Sequence, residues 1–252
     1  MEQIEYQVSG PNDLPKLIYL PGLHGDWSLL SGFRANVYGS VQLIEMRYPN
    51  TRSWTINDYS NAIMKILFDI NVNSGFILAE SFGSQVAWAL LANGYKPKAV
   101  ILAGGFVRYP FISILKNVKL IFRAIPYSIL RIMLKAYALI SRLRYLNARE
   151  NFDNMTEFLR LRTDENRLAA CHRLELIKRC DFRDMVSHTD IPIFYLSGFW
   201  DPIVPWPFVI SWLKDNCNSF CASKILINAD HLVLATAPKD SANLIINWIK
   251  HV

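Results

Sequence analysis

The serine in Ala79-Glu80-Ser81-Phe82-Gly83 has surroundings that allow covalent chemistry. Ala79 and Gly83 stand two positions either side of it, between the apolar run Gly75-Phe76-Ile77-Leu78-Ala79 and a helix opening at Ser84-Gln85-Val86-Ala87-Trp88. A strand that turns sharply into a helix brings backbones together, and only small residues fit at those two places. The hydroxyl is then expected to stand exposed at the tip of the turn. It would lie near the positive end of the helix, with the N–H of Phe82 free to bind an oxyanion. A serine at a helix start is also an ordinary N-cap, so the stretch alone leaves both readings open.

A serine hydroxyl needs a base to take its proton, and an imidazole with a pKa near ~6.5 suits neutral pH. His231 ends Asn228-Ala229-Asp230-His231, directly after the strand-like run Lys224-Ile225-Leu226-Ile227. Asp201 follows Ile193-Phe194-Tyr195-Leu196-Ser197 in the same way and is the candidate to hold the His231 tautomer and stabilise its imidazolium. An Asp between a strand end and prolines is equally a turn former. Asp230 ranks below Asp201, because its side chain should point away from that of its neighbour His231. The loop Pro21-Gly22-Leu23-His24-Gly25 follows the buried-type run Lys16-Leu17-Ile18-Tyr19-Leu20. Its small residues suggest that backbone does work there, with the Leu23 N–H aimed at the same point as that of Phe82. An ordinary strand-to-helix loop would look similar. His24 and Phe106 are assigned to substrate contact, and His24 also to loop structure.

These residues must be positioned by strands and helices that alternate. Ile4-Glu5-Tyr6-Gln7-Val8 reads as a half-exposed first strand, and Val41-Gln42-Leu43-Ile44-Glu45-Met46 as a third after the run ending at Leu20. Thr55 and Asp58 resemble a capping box before a helix with Ile56, Tyr59, Ile63 and Leu67 on one face. Ala99-Val100-Ile101-Leu102-Ala103 is the strand after the serine helix. The connections are too long for hairpins, which predicts an α/β fold with a mostly parallel, twisted sheet flanked by helices. Ligands bind at the carboxyl ends of such strands, where Leu23, Ser81 and Gly105 all fall.

From Phe106 the rhythm stops until Ile193, and a helical cap is expected over residues 106–188, inserted into a core of 1–105 and 189–252. Phe111 to Leu146 is densely apolar with basic residues at helical intervals, divided by Pro126. Charge interrupts it too often for a membrane span. Glu165 to Cys180 predicts a further amphipathic helix, in which Cys171 and His172 pack rather than react.

A chain of 252 residues with 52% hydrophobic content can bury a substantial core, so disorder is not expected. Between Ser81 and Arg149 there is no acidic residue but eleven basic ones, more than the whole chain's net +6, so the remainder is net acidic. That asymmetry suggests an anionic partner, either an acidic acyl carrier or an anionic membrane surface, although the two halves could also match each other. No nucleic-acid module accompanies the charge. The four cysteines form no CxxC pair, so buried thiols are expected, with no metal, no cofactor and no disulfide frame. The start Met1-Glu2-Gln3-Ile4-Glu5-Tyr6 lacks the basic and apolar stretches of a secretion signal, and the cytoplasm is the expected location.

The order Ser81, Asp201, His231, with the small-residue turn and an insertion between, resembles the α/β-hydrolase superfamily over nearly the whole chain. Leu20-Pro21-Gly22-Leu23-His24-Gly25, Ala79-Glu80-Ser81-Phe82-Gly83 and Phe106-Val107-Arg108-Tyr109-Pro110 are similar to a bacterial-type esterase subgroup. That subgroup tends to carry Asp where His24 stands, Gly where Ala79 stands, and Gly or Pro where Asp230 stands. The first two departures leave the backbone roles intact. The resemblance implies a serine esterase working through an acyl-enzyme. A thioesterase or acyltransferase using an acyl carrier or coenzyme A is the alternative, and a non-catalytic ligand-binding relative is the third.

Overall fold

A computed structural model describes residues 2–144 and 155–252. The expected end of the apolar stretch at Leu146, and Arg149, lie outside the described residues.

The central sheet is built from β1 (Glu5–Ser9), β2 (Lys16–Leu20), β3 (Gln42–Arg47), β4 (Phe76–Glu80), β5 (Ala99–Ala103), β6 (Ile193–Gly198) and β7 (Phe220–Leu226). Their order is β1-β3-β2-β4-β5-β6-β7, and every pair is parallel except β1 with β3. Strands β2, β4, β5 and β6 are near-continuous apolar runs because helices cover both faces of the sheet, so neither side chain set of the pleat meets water.

The alternation along each strand sorts residues between two cores. Leu20, Ile77, Ala79, Val100, Leu102 and Tyr195 face one, with α2 (Ile56–Asp69), α3 (Gly83–Ala92) and α9 (Trp206–Asn216) packed on it. Tyr19, Leu78, Ile101, Ala103 and Leu196 face the other, against α1 (Ser31–Val37) and α11 (Pro238–Lys250). The α2 capping box is present: Asp58 N–H donates to Thr55 Oγ1, and Thr55 N–H donates to the Asp58 carboxylate at 2.6 Å.

Between β5 and β6 the chain leaves the sheet and forms α4 (Ile112–Ala124), α5 (Tyr127–Arg144), α6 (Met155–Leu161), α7 (Asp164–Arg179) and α8 (Arg183–Ser187). Pro126 separates α4 from α5. Helix α7 starts at Thr163, whose hydroxyl accepts the Asn166 N–H, and has Asp164 and Glu165 in its first turn and Lys178 and Arg179 in its last, complementing its dipole. After β7, α10 (Val233–Thr236) leads into α11.

Two expectations are corrected. Strand β7 begins at Phe220 rather than Lys224 and ends before Ile227. It is an edge strand whose opening residues, Phe220 to Ser223, are at least partly exposed, so they give no apolar run to read. Cys171, Cys180 and Cys217 are buried, but Cys221, on that same edge, is exposed.

Candidate functional site

Strand β4 ends at Glu80 and α3 begins at Gly83, so the reversal takes place over Ser81 and Phe82. Ser81 adopts φ +49°, a left-handed backbone that L-residues rarely take up. Such strain persists only where the surroundings over-determine it. Here they do: Ser81 N–H donates to the Ala103 carbonyl at 3.1 Å, Ser84 N–H returns to the Ser81 carbonyl at 3.0 Å, and a Cβ on Gly83 would lie 2.2 Å from the Leu20 carbonyl. The turn is therefore wedged between β2 and β5. Ser81 is 8% exposed and does not stand at an open tip. The loop after β2 and the His231 ring close over it, a Cβ on Gly22 coming within 3.3 Å of the Ser81 Cβ.

The structure brings Ser81, His231 and Asp201 together. His231 Nε2 lies 3.0 Å from Ser81 Oγ, and His231 Nδ1 lies 2.8 Å from Asp201 Oδ2. Asp201 is fixed from behind, its Oδ1 accepting the N–H groups of Ile203 and Val204, each at 2.8 Å. The residue is thus a turn former and a histidine partner at once. Burial alone would lower the His231 pKa, but the hydrogen bond and charge of Asp201, with the more distant Glu80 and Asp230, outweigh it and raise the net value. Asp230 points elsewhere: its carboxylate accepts Tyr137 Oη–H of α5 at 2.9 Å and the Leu232 N–H at 3.0 Å, and burial raises its pKa.

Neither the Leu23 nor the Phe82 N–H is paired among the described residues. His24 is partly buried, its Nε2 3.8 Å from Glu80 Oε2 and its ring edge-on to Phe158, and desolvation lowers its pKa against the pull of Glu80 and Asp26. Phe106 is 1% exposed and packs edge-on against Tyr109, and its carbonyl accepts Gln85 Nε2 and Trp88 Nε1.

Sequence reading missed a buried polar frame around this loop. Arg173 of α7 is 0% exposed, and its guanidinium donates to the Leu23 carbonyl and to the Pro49 carbonyl, each at 2.9 Å. Asn166, two turns earlier on the same face, donates to the His24 carbonyl at 3.2 Å, as does Arg162, which also pairs with Asp26. Glu80 accepts Tyr19 Oη–H at 2.5 Å. The available signal was a charge in a buried pattern: Arg173 among Ala169, Ala170, Leu174 and Ile177, and Glu80 at the end of an apolar strand. The carbonyls of Leu23 and His24 are thus both held by side chains of the insertion.

No family model and no curated protein matches the chain. Among solved structures it is similar to a hydrolase from Pseudomonas aeruginosa, with TM-score 0.79 at 13% identity over 98% of this chain and 94% of that one. It is likewise similar to a thermophilic esterase from Thermogutta terrifontis, with TM-score 0.76 at 15% identity over 98% and 93%. A third is an α/β hydrolase from a deep-sea metagenome library of the Medee basin, with TM-score 0.75 at 15% identity over 98% and 94%. The seven-stranded, mostly parallel sheet with its inserted helices is thus the α/β-hydrolase fold.

Proposed function

We propose that the protein is a serine hydrolase that cleaves a carboxylic ester through an acyl-enzyme. The observation that carries this reading is the unbroken hydrogen-bonded chain from Ser81 Oγ through both nitrogens of His231 to Asp201, anchored on a strained turn. In the first step His231 Nε2 takes the Ser81 proton as Oγ bonds to the ester carbonyl carbon, and the carbonyl oxygen becomes an oxyanion received by the Leu23 and Phe82 N–H groups. The imidazolium, stabilised by Asp201, then gives its proton to the departing alkoxide as the C–O bond breaks. Water repeats the sequence on the acyl-enzyme and returns Ser81 to its hydroxyl.

The Arg173 and Asn166 clamps suit this role. With the Leu23 and His24 carbonyls held by Arg173 and Asn166, and the Leu23 N–H unpaired among the described residues, the loop keeps a donor for the oxyanion. The apolar insertion above the strand ends favours an acyl group of moderate length over a small polar one. The test is turnover of a short p-nitrophenyl ester together with fluorophosphonate labelling. Ser81→Ala should abolish both while the far-UV spectrum is kept, and His231→Ala should prevent labelling. Undiminished turnover by Ser81→Ala would end this reading, and partitioning of the acyl group to an added alcohol or acyl carrier would replace hydrolysis by transfer.

A further inference from the structure

Helix α5 wears its hydrophobic stripe on the outside. Leu134 and Tyr137 turn inward, Tyr137 to Asp230. Ile129, Ile132, Met133, Leu139 and Ile140, spaced to fall on one helical face, are instead between 47% and 66% exposed. Along the helix axis this stripe runs about 17 Å, at ~1.5 Å per residue. Neighbouring Leu120 and Ile114 of α4 are also exposed. An apolar face of this length is costly in water unless something covers it.

The charge around the stripe says what fits. Arg131 and Lys135, both exposed, flank it, and the α5 sequence also holds Arg142 and Arg144 without any Asp or Glu. The acid-free segment with eleven basic residues runs from Ser81 to Arg149 and so spans the whole of α4 and α5. A second copy docked face to face about a two-fold axis would set basic residues against basic residues with no acid between them. An anionic lipid surface matches both features: acyl chains for the isoleucines, and headgroups for the arginines and lysine.

The site adjoins the same surface. Trp200 N–H donates to the Ala229 carbonyl, beside the Asp230 that holds Tyr137 of α5, and both Phe199 and Trp200 are exposed on the loop carrying Asp201. Tryptophan side chains such as that of Trp200 settle at the membrane–water boundary. Among the described residues no helix is long and apolar enough to cross a bilayer, so the helix would lie on it.

We infer that the outer face of α5 docks the protein on an anionic lipid bilayer, with the Asp201 loop at its margin. The docking rests on surface residues and not on the chemistry proposed for Ser81, so the full chain carrying Ser81→Ala is the right one to test first. It should co-sediment with phosphatidylglycerol–phosphatidylcholine vesicles, bind pure phosphatidylcholine much more weakly, and release as salt rises. Ile132→Ser with Leu139→Ser should weaken vesicle binding at least tenfold. Arg131→Gln and Lys135→Gln should each weaken it about fivefold. In the chain with Ser81 intact, turnover of a soluble short ester should stay unchanged by these substitutions, which also shows that the variants fold.

Three results would overturn the inference. One is equal binding to neutral and anionic vesicles. Another is vesicle binding indifferent to Ile132→Ser with Leu139→Ser. The last is absence of vesicle binding, whether the stripe proves to hold a second copy, seen as a dimer in sedimentation that Ile132→Ser dissolves, or an acidic acyl carrier.

Discussion

Replacing Asp201 by Asn tests the proposed chemistry with almost no change of shape. The carboxylate has two distinct sides. Oδ1 accepts two backbone N–H groups, from Ile203 and Val204 at 2.8 Å each, and Oδ2 accepts from His231 Nδ1 at 2.8 Å. An amide in this position must keep its oxygen toward the two N–H donors, because the opposite orientation would press its NH₂ against both. The NH₂ then faces His231 Nδ1. That nitrogen must become the acceptor, and the ring proton moves to Nε2, pointing at Ser81 Oγ. The base has lost its lone pair on the side where it is needed. A wrong-tautomer histidine of this kind costs about 10⁴-fold in kcat, or roughly 5.4 kcal/mol at ~1.36 kcal/mol per factor of ten.

The substitution also removes the hydrogen bond and charge that most raise the His231 pKa, leaving burial to lower it. Residual activity should therefore have its acid limb at lower pH than the parent. The assay is kcat for a short p-nitrophenyl ester across pH, with thermal unfolding to confirm that the fold is retained. Asp230→Asn serves as the comparison and should keep kcat within about tenfold, since this carboxylate binds Tyr137 and Leu232 rather than the imidazole. If Asp201→Asn kept more than a tenth of the parent kcat, or if Asp230→Asn were the more damaging, Asp201 would not be the partner that sets the tautomer.

Gly83→Ala should lower stability by about 1–3 kcal/mol and cut turnover, because the new Cβ would sit 2.2 Å from the Leu20 carbonyl and must push the turn out of place; calorimetry and esterase kinetics check it. Arg173→Lys should lower kcat by up to about 10²-fold with KM little changed, since one ammonium cannot span the Leu23 and Pro49 carbonyls as the guanidinium does. An unchanged kcat would remove Arg173 from any positioning role. In the parent, kcat/KM should fall on acidification with an apparent pKa above the ordinary histidine value of 6.5, because the neutral imidazole is the proposed base and its pKa is raised. Burial opposes ionisation of Asp26, yet Arg162 with His24 and Ser28 holds its pKa below the usual carboxylate value. The folded state therefore binds this proton less readily than the unfolded chain, so the stabilisation is present above about pH 4 and is lost as pH falls toward the folded value. Asp26→Asn should flatten that part of the unfolding profile.

Strands β2, β4, β5 and β6 were legible because they are buried on both faces and so read as near-continuous apolar runs. Helix α2 was legible because its capping box and apolar spacing are local. Helix α1 left no mark: it is seven residues long, includes Gly32, and has no side-chain cap and no acid in its first turn. It is held by packing of Phe33 and Val37 against α11, which only the folded chain supplies. Helix α9, opening at Trp206-Pro207-Phe208, likewise has no side-chain cap and no acid in its first turn.

What the sequence determined by itself is the list of candidate reacting groups and their place along the chain. Ser81, Asp201 and His231 each follow a strand, and in a parallel sheet every such strand end lies on the same edge. What only the tertiary structure decided is distance, cover and restraint: the 3.0 Å and 2.8 Å contacts, the burial of Ser81, and the grip of Arg162, Asn166 and Arg173 on the loop opposite. Those residues are more than a hundred positions from the carbonyls they hold. A spacing rule can register a turn or a helix face, because both repeat within a few residues, but a contact between distant segments depends on how every intervening element packs.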